Sequence, residues 1–225
     1  MSRAHTFNLL AAPALALLSL CTAPAFWRQP GAASVPAPAP PTGPAAAAAA
    51  APAWQLTADE EATNRRPLKL PLASPRLLVR KAARRLVLYD GERAVRVYRV
   101  VLGFAPDGDK VRQGDGRTPE GDFYVCVKND KSRFYLSLGL SYPNRPAAER
   151  GLRDRLITRR QHDRIVRAID DRQRPPWDTA LGGEIMIHGG GTANDWTHGC
   201  VALENEHIKE LFDAVPMGAP VRIEP

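Results

Sequence analysis

Ile185-Met-Ile-His-Gly-Gly-Gly-Thr-Ala-Asn-Asp-Trp-Thr-His-Gly-Cys-Val-Ala-Leu203 opens on three apolar residues, delivers a histidine, loops through glycines and reaches a cysteine. His188 stands twelve positions before Cys200, and Gly199 lies directly beside it. These are the parts of a thiol nucleophile with its base. A free thiol is only a few per cent thiolate at neutral pH. A nearby imidazole takes the proton, holds it and returns it to a leaving amine. Glycine lets backbone approach a reacting carbonyl closely, and N–H groups at such a turn can form an oxyanion hole. The run points to acyl transfer through a thioester, with Cys200 as nucleophile and His188 as base.

Working outward, Arg76–Leu102 reads as strands. Leu77–Val79 is a short one, and Leu86–Tyr89 and Ala94–Val101 flank Asp90-Gly91, a hairpin signal. Gly103–Gly121 is loop-rich and lacks the Gly-Lys-[Ser/Thr] of a phosphate-binding loop; its turns aim Thr118-Pro119 at a sheet edge. Strands follow at Phe123–Lys128 and Phe134–Leu140. From Arg145 to Arg174, Leu152, Leu156, Ile157, Ile165, Val166 and Ile169 recur at helical spacing with arginines between them. This predicts one or two amphipathic helices, read either as a substrate-guiding arm or as a cover over a sheet face, the latter preferred. Asn205–Val215 reads as a helix and Val221–Ile223 as a terminal strand. The expected fold class is mainly β: one domain of mixed sheets with a few short helices.

The N-terminal third is different. Arg3 and His5 precede an apolar stretch from Leu9 to Leu20, and Ala23-Pro-Ala25 offers a cleavage site, so residues 1–25 read as a secretory signal. The competing reading is a lipoprotein, since Leu18-Ser-Leu-Cys21 nearly matches a lipid-attachment box and would anchor the N-terminus in a membrane. Pro30–Ala53 is almost all Pro, Ala and Gly, which cannot bury enough apolar surface to offset its ordering entropy. Residues 26–74 are expected to be a disordered spacer, of which Trp54–Ser74 folds only in part. The folded domain is expected at 75–225.

A net charge of +7 suggests an acidic partner. Export argues against nucleic acid and leaves two readings, an anionic polymer outside the cell and general solubility alone. Beyond the signal only Cys126 and Cys200 remain. A disulfide between them would disable the nucleophile, and the preferred reading of Cys126, in Phe123-Tyr-Val-Cys-Val127, is a buried small hydrophobe. His188, His198, Cys200 and His207 are close in sequence, but their spacing is no recognised zinc pattern, and no metal is expected.

Several motifs resemble the L,D-transpeptidase (YkuD-type) catalytic domain. They are Ile185-Met-Ile-His-Gly189, Asp195-Trp-Thr-His-Gly-Cys-Val-Ala-Leu203, Asn205-Glu-x-Ile208 with Leu211, Gly114-Asp-Gly-Arg-Thr-Pro-Glu-Gly121 and Leu138-Gly-Leu-Ser-Tyr-Pro-Asn144. They run in one consistent order from Arg76 to Pro225. The resemblance implies an exported enzyme of the periplasm or envelope that needs no cofactor and uses peptidoglycan stem peptides as donor and acceptor. Cys200 and His188 take the catalytic roles, with the Gly189 or Gly190 carbonyl orienting the imidazole. Thr197, His198 and Gly199 shape the nucleophile turn, and backbone N–H groups near His198, Gly199 and Cys200 serve as oxyanion donors. Tyr142 and Trp196 have two readings, groove lining or core packing. Ala202 departs from the arginine that many relatives carry there, and the His-to-Cys interval is short. The same resemblance leaves two other outcomes: hydrolysis of wall peptides or protein–wall linkages, and a non-catalytic wall-binding module.

Overall fold

A computed structural model describes residues 55–225. The expectations for the signal, the Pro/Ala stretch, Cys21 and an N-terminal anchor lie outside the described residues. Among the described residues no helix is long and apolar enough to cross a membrane.

Among the described residues eight strands form one mixed sheet in the order β3-β2-β1-β8-β4-β5-β6-β7. They are β1 (Pro75–Arg80), β2 (Arg85–Asp90), β3 (Arg93–Arg99), β4 (Gly121–Ser132), β5 (Tyr135–Leu140), β6 (Met186–His188), β7 (Val201–Ala202) and β8 (Pro220–Glu224). Pairing is antiparallel except between β1 and β8 and between β6 and β7. Among the described residues four helices accompany the sheet: α1 (Ala58–Arg65), α2 (Arg145–Arg153), α3 (Arg159–Asp170) and α4 (Asn205–Ala214). The architecture is mainly β.

Strand alternation builds the core. Leu77, Val79, Leu86 and Leu88 face one side, where they join Leu138, Leu140 and Ile187 and, from α4, Ile208 and Leu211. Their neighbours Leu78, Val87 and Val97 face the other side, with Leu56 packed over them. Each buried aliphatic side chain contributes roughly 1.5–3 kcal/mol. The predicted strand Ala94–Val101 stops at Arg99. Val101 instead exchanges both backbone hydrogen bonds with Ala202, at 3.0 and 2.9 Å, tying this segment to the strand that follows Cys200.

The helical insertion is two helices. Asn144 caps α2 by accepting the Ala147 N–H, and Thr158 with Gln161 forms a capping box on α3. Ala148, Ile157, Ile165 and Leu181 make a separate small core beneath them. Leu181 leads directly into Gly182–Ile185, so this core backs the segment that enters β6.

The stretch expected to fold only in part contains α1, and folded structure reaches N-terminal of the expected boundary at residue 75. Thr57 and Glu60 form a capping box, and the Glu60 carboxylate also meets Arg85 at 3.2 Å. The Asn64 side chain donates to the Val97 carbonyl at 2.7 Å and accepts its N–H at 2.8 Å. The helix buries no residue of its own. Polar anchors hold it, and apolar periodicity is blind to those.

Candidate active site

The parallel pairing of β6 with β7 sets Ile187 beside Val201 and His188 beside Ala202. Cys200 is therefore the last residue before β7, level with Met186. The Met186 N–H points at Cys200 Sγ at 3.4 Å, and the thiol donates to the Glu184 carbonyl at 3.5 Å. His188 and Cys200 line one cleft of about 330 Å³, together with Lys110, Arg133, Phe134, Glu184, Trp196 and His198.

His188 is only 2% exposed. Its Nδ1 lies 2.6 Å from the carbonyl oxygen of Gly189, which places the ring proton on Nδ1 and leaves Nε2 as the acceptor. Phe134 stacks on the imidazole at 4.6 Å, and Trp196 meets it edge-on at 5.5 Å. Burial holds His188 below the ordinary imidazole range against the opposing pull of the Gly189 carbonyl. Burial likewise pushes the Cys200 thiol up, opposed by the Met186 N–H and by Lys110 and Arg133. The resting pair is a neutral thiol and a neutral imidazole.

The turn that carries Cys200 is buttressed from two directions. Thr197 Oγ1 accepts the Gly199 N–H at 3.1 Å and donates to the Cys200 carbonyl at 2.8 Å, closing the turn on itself. Thr118 Oγ1 donates to the same carbonyl at 3.4 Å and accepts the Gly103 N–H at 3.0 Å. Gly199 sits at φ +127°, and a Cβ there would meet the Arg117 carbonyl oxygen at 2.6 Å. The loop between the histidine and the cysteine is pinned as well. Asp195 binds Arg84 at 2.6 Å and the Leu102 N–H at 2.8 Å. Glu204 accepts from the Thr192 N–H and hydroxyl at 3.0 and 2.6 Å, and Asn205 accepts the Gly190 N–H at 3.0 Å.

Of the residues singled out from sequence, His188, Thr197, His198, Cys200 and Trp196 line the cleft. Gly189 contributes its carbonyl and Gly199 its backbone conformation. The Gly199 N–H is held by Thr197 Oγ1 and is not free to bind a ligand. Tyr142 lies elsewhere: it is 1% exposed, and its hydroxyl donates to the Leu181 carbonyl at 3.2 Å. Of its two readings, core packing is the one the structure supports. His207 packs on Tyr98 at 5.2 Å and does not line the cleft, so the four residues weighed as a metal set are not brought together. Cys126 is buried in β4 with its thiol pushed up to about 11, chiefly by burial, and both Cys126 and Cys200 are free thiols.

Sequence reasoning missed Lys110, Arg133 and Glu184, which reach the cleft from three separate segments with no shared spacing. Lys110 is 2% exposed, and its ammonium is held by Asp115 at 2.7 Å and the Arg112 carbonyl at 3.1 Å. The one available signal was Asp115 inside the Gly114–Gly121 motif. Its carboxylate also accepts the N–H groups of Val111, Arg112 and Arg117, which fixes that loop.

The family model described as the L,D-transpeptidase catalytic domain (YkuD) matches residues 74–223. No curated protein sequence matches the chain. Among solved structures, the chain is similar to an L,D-transpeptidase (residues 123–326) from Xylanimonas cellulosilytica DSM 15894, at 18% identity and TM-score 0.41, covering 70% of this chain and 64% of that one. It is also similar to the helical cell shape determining protein Pgp2 from Campylobacter jejuni, at 22% identity and TM-score 0.45, covering 67% and 47%. A third is Mycobacterium tuberculosis L,D-transpeptidase 1, at 13% identity and TM-score 0.39, covering 68% and 62%. This chain thus spans less than two thirds of each of these solved chains. With the family pattern matched over residues 74–223, on the strands and loops that carry His188 and Cys200, the chain belongs to the L,D-transpeptidase catalytic domain family.

Proposed function

We propose that this protein is a cysteine-dependent L,D-transpeptidase acting on peptidoglycan stem peptides through a thioester, outside the cytoplasm. The observation that carries the reading is the convergence of Cys200 with an imidazole whose Nδ1 is already committed to the Gly189 carbonyl, which leaves Nε2 to take the thiol proton.

The steps follow from the neutral resting pair. As Sγ attacks the carbonyl that precedes the terminal D-alanine, its proton passes to His188 Nε2. Negative charge gathers on the former carbonyl oxygen. Because Thr197 occupies the Gly199 N–H, the donors to that oxygen are the backbone N–H groups of Cys200 and His198. Collapse breaks the C–N bond, and the imidazolium gives its proton to the departing amine. A second stem-peptide amine then attacks the thioester, losing its proton to His188, and the thiol is restored. No cofactor enters any step.

The test is mass spectrometry of the full chain with a disaccharide-tetrapeptide, alongside Cys200→Ala and His188→Ala. Release of D-alanine, a Cys200 acyl adduct and a cross-linked dimer are the expected results. Release without a dimer reassigns the site to hydrolysis. No adduct and no release from folded protein reassigns the chain to wall binding without catalysis.

A further inference from the structure

The cleft is electrically lopsided. Glu184 enters it on the side where its own carbonyl meets Cys200 Sγ at 3.5 Å. Arg133 enters on the histidine side: its guanidinium lies 4.8 Å above the Phe134 ring, and that ring stacks on His188 at 4.6 Å. The other cation of the cleft, Lys110, is buried and already neutralised by Asp115 at 2.7 Å. Arg133 is exposed and, among the described residues, forms no ion pair. The cleft therefore holds one uncommitted guanidinium, on the wall formed by the base.

That wall is where the departing group must lie. The leaving amine has to receive its proton from His188, and in a peptide ending in an amino acid the terminal carboxylate is two bonds from that amine. An anion so placed is repelled from the Glu184 side and drawn to the Phe134–His188 side. We propose that Arg133 is the specificity-determining residue of this site: its guanidinium takes the terminal carboxylate of the amino acid that leaves, so the cleft selects peptides with a free C-terminus. A planar fork suits this task better than an ammonium, because it presents two parallel N–H groups to a carboxylate. Arg133 precedes Phe134 at the β4–β5 turn, so its contact with the ring also fixes the height at which the carboxylate binds. The placement of the carboxylate rests on the acyl-transfer reading above.

The experiment measures binding, so it does not depend on turnover. The full chain carrying Cys200→Ala is titrated calorimetrically with a disaccharide-tetrapeptide ending in a free carboxylate and with its C-terminal carboxamide. The free acid is expected to bind about tenfold more tightly, the range of one charge-assisted hydrogen-bonded contact. Adding Arg133→Ala brings the two ligands within about twofold, while Arg133→Lys keeps part of the preference. Unchanged thermal melting of each variant shows that the fold is intact, as expected for an exposed turn residue. Equal affinities in the parent, a preference that survives Arg133→Ala, or failure of both peptides to bind each overturns the proposal. Preference for the acid without D-alanine release by the native protein leaves Arg133 in place and removes the transpeptidase reading. D-alanine release without the preference does the reverse.

Discussion

The Nδ1 of His188 lies 2.6 Å from the carbonyl oxygen of Gly189, so the imidazole is oriented by the next peptide of its own chain. No carboxylate is needed to choose the tautomer. A main-chain orienter has no side chain to lose, and it brings no full negative charge to stabilise an imidazolium. That agrees with the direction in which burial moves His188, below its ordinary range.

The pH dependence of acylation follows from this pair. The reactive form has a neutral imidazole and a thiol that still carries its proton. With His188 lowered and Cys200 raised, kcat/KM should stay flat through neutrality. It should fall on the acid side only below the usual imidazole value of about 6.5, and on the alkaline side only above the usual thiol value of about 8.5. The pH-rate profile with the tetrapeptide donor checks this; a narrow optimum confined between those two values would contradict it. The sign for stability runs the same way. A histidine whose folded pKa is depressed takes up its proton more readily when unfolded, so this group lowers stability as pH drops below about 6.5.

Thr197→Val should remove the acceptor of the Gly199 N–H and the donor to the Cys200 carbonyl while keeping the side-chain shape. Both partners lie in the turn that carries Cys200, so a destabilisation of about 1–3 kcal/mol is expected. Acylation should fall about tenfold or more as the turn loosens. Thr197→Ser restores the hydroxyl and should recover most of the rate. Denaturant titration and single-turnover acylation, read together, separate the two effects.

Asp195 ties the loop between His188 and Cys200 to Arg84 and to the Leu102 N–H. Asp195→Ala leaves that N–H and a half-buried guanidinium without their partner, at a cost of about 2 kcal/mol. Arg84→Ala alone should cost less, because Asp195 keeps Leu102. A double-mutant cycle in urea should give a coupling between the two residues of roughly 1 kcal/mol.

Gly199→Ala should be among the most damaging single changes in the chain. The residue sits at φ +127°, and its new methyl would meet the Arg117 carbonyl oxygen at 2.6 Å, a main-chain atom that cannot swing aside. Strain of about 1–3 kcal/mol is expected, with acylation reduced far more than stability alone explains. The melting temperature and the yield of acyl adduct provide the check.

How much of this was legible in the sequence depends on how each part is held together. His188 and Cys200 could be read because one uninterrupted run carries both, and the strand pairing that joins them is local. The core strands could be read because apolar alternation is the force that builds them. Helix α1 was missed because Glu60 and Asn64 hold it through polar contacts, and its apolar content is slight. Arg133, Lys110 and Glu184 were missed because only the sheet order brings them to one cleft. Tyr142 stood beside a recognised motif, yet its ring lies in the core, where the Leu181 carbonyl satisfies its hydroxyl. Proximity in sequence to a motif says little about which way a side chain faces.

The two hydrogen bonds between the Asn64 side chain and the backbone of Val97 have a consequence for solubility. Strand β3 ends the sheet, and a terminal strand with free peptide groups is a template on which a strand from another molecule can add. One amide side chain fills a donor and an acceptor on that rim, much as a doorstop holds a hinge. A protein lacking residues 55–66, or carrying Asn64→Ala, would keep the cleft of His188 and Cys200 and expose a sticky margin. Such forms should associate edge to edge as their concentration rises, so the small polar helix that adds nothing to the hydrophobic core guards the sheet against self-association.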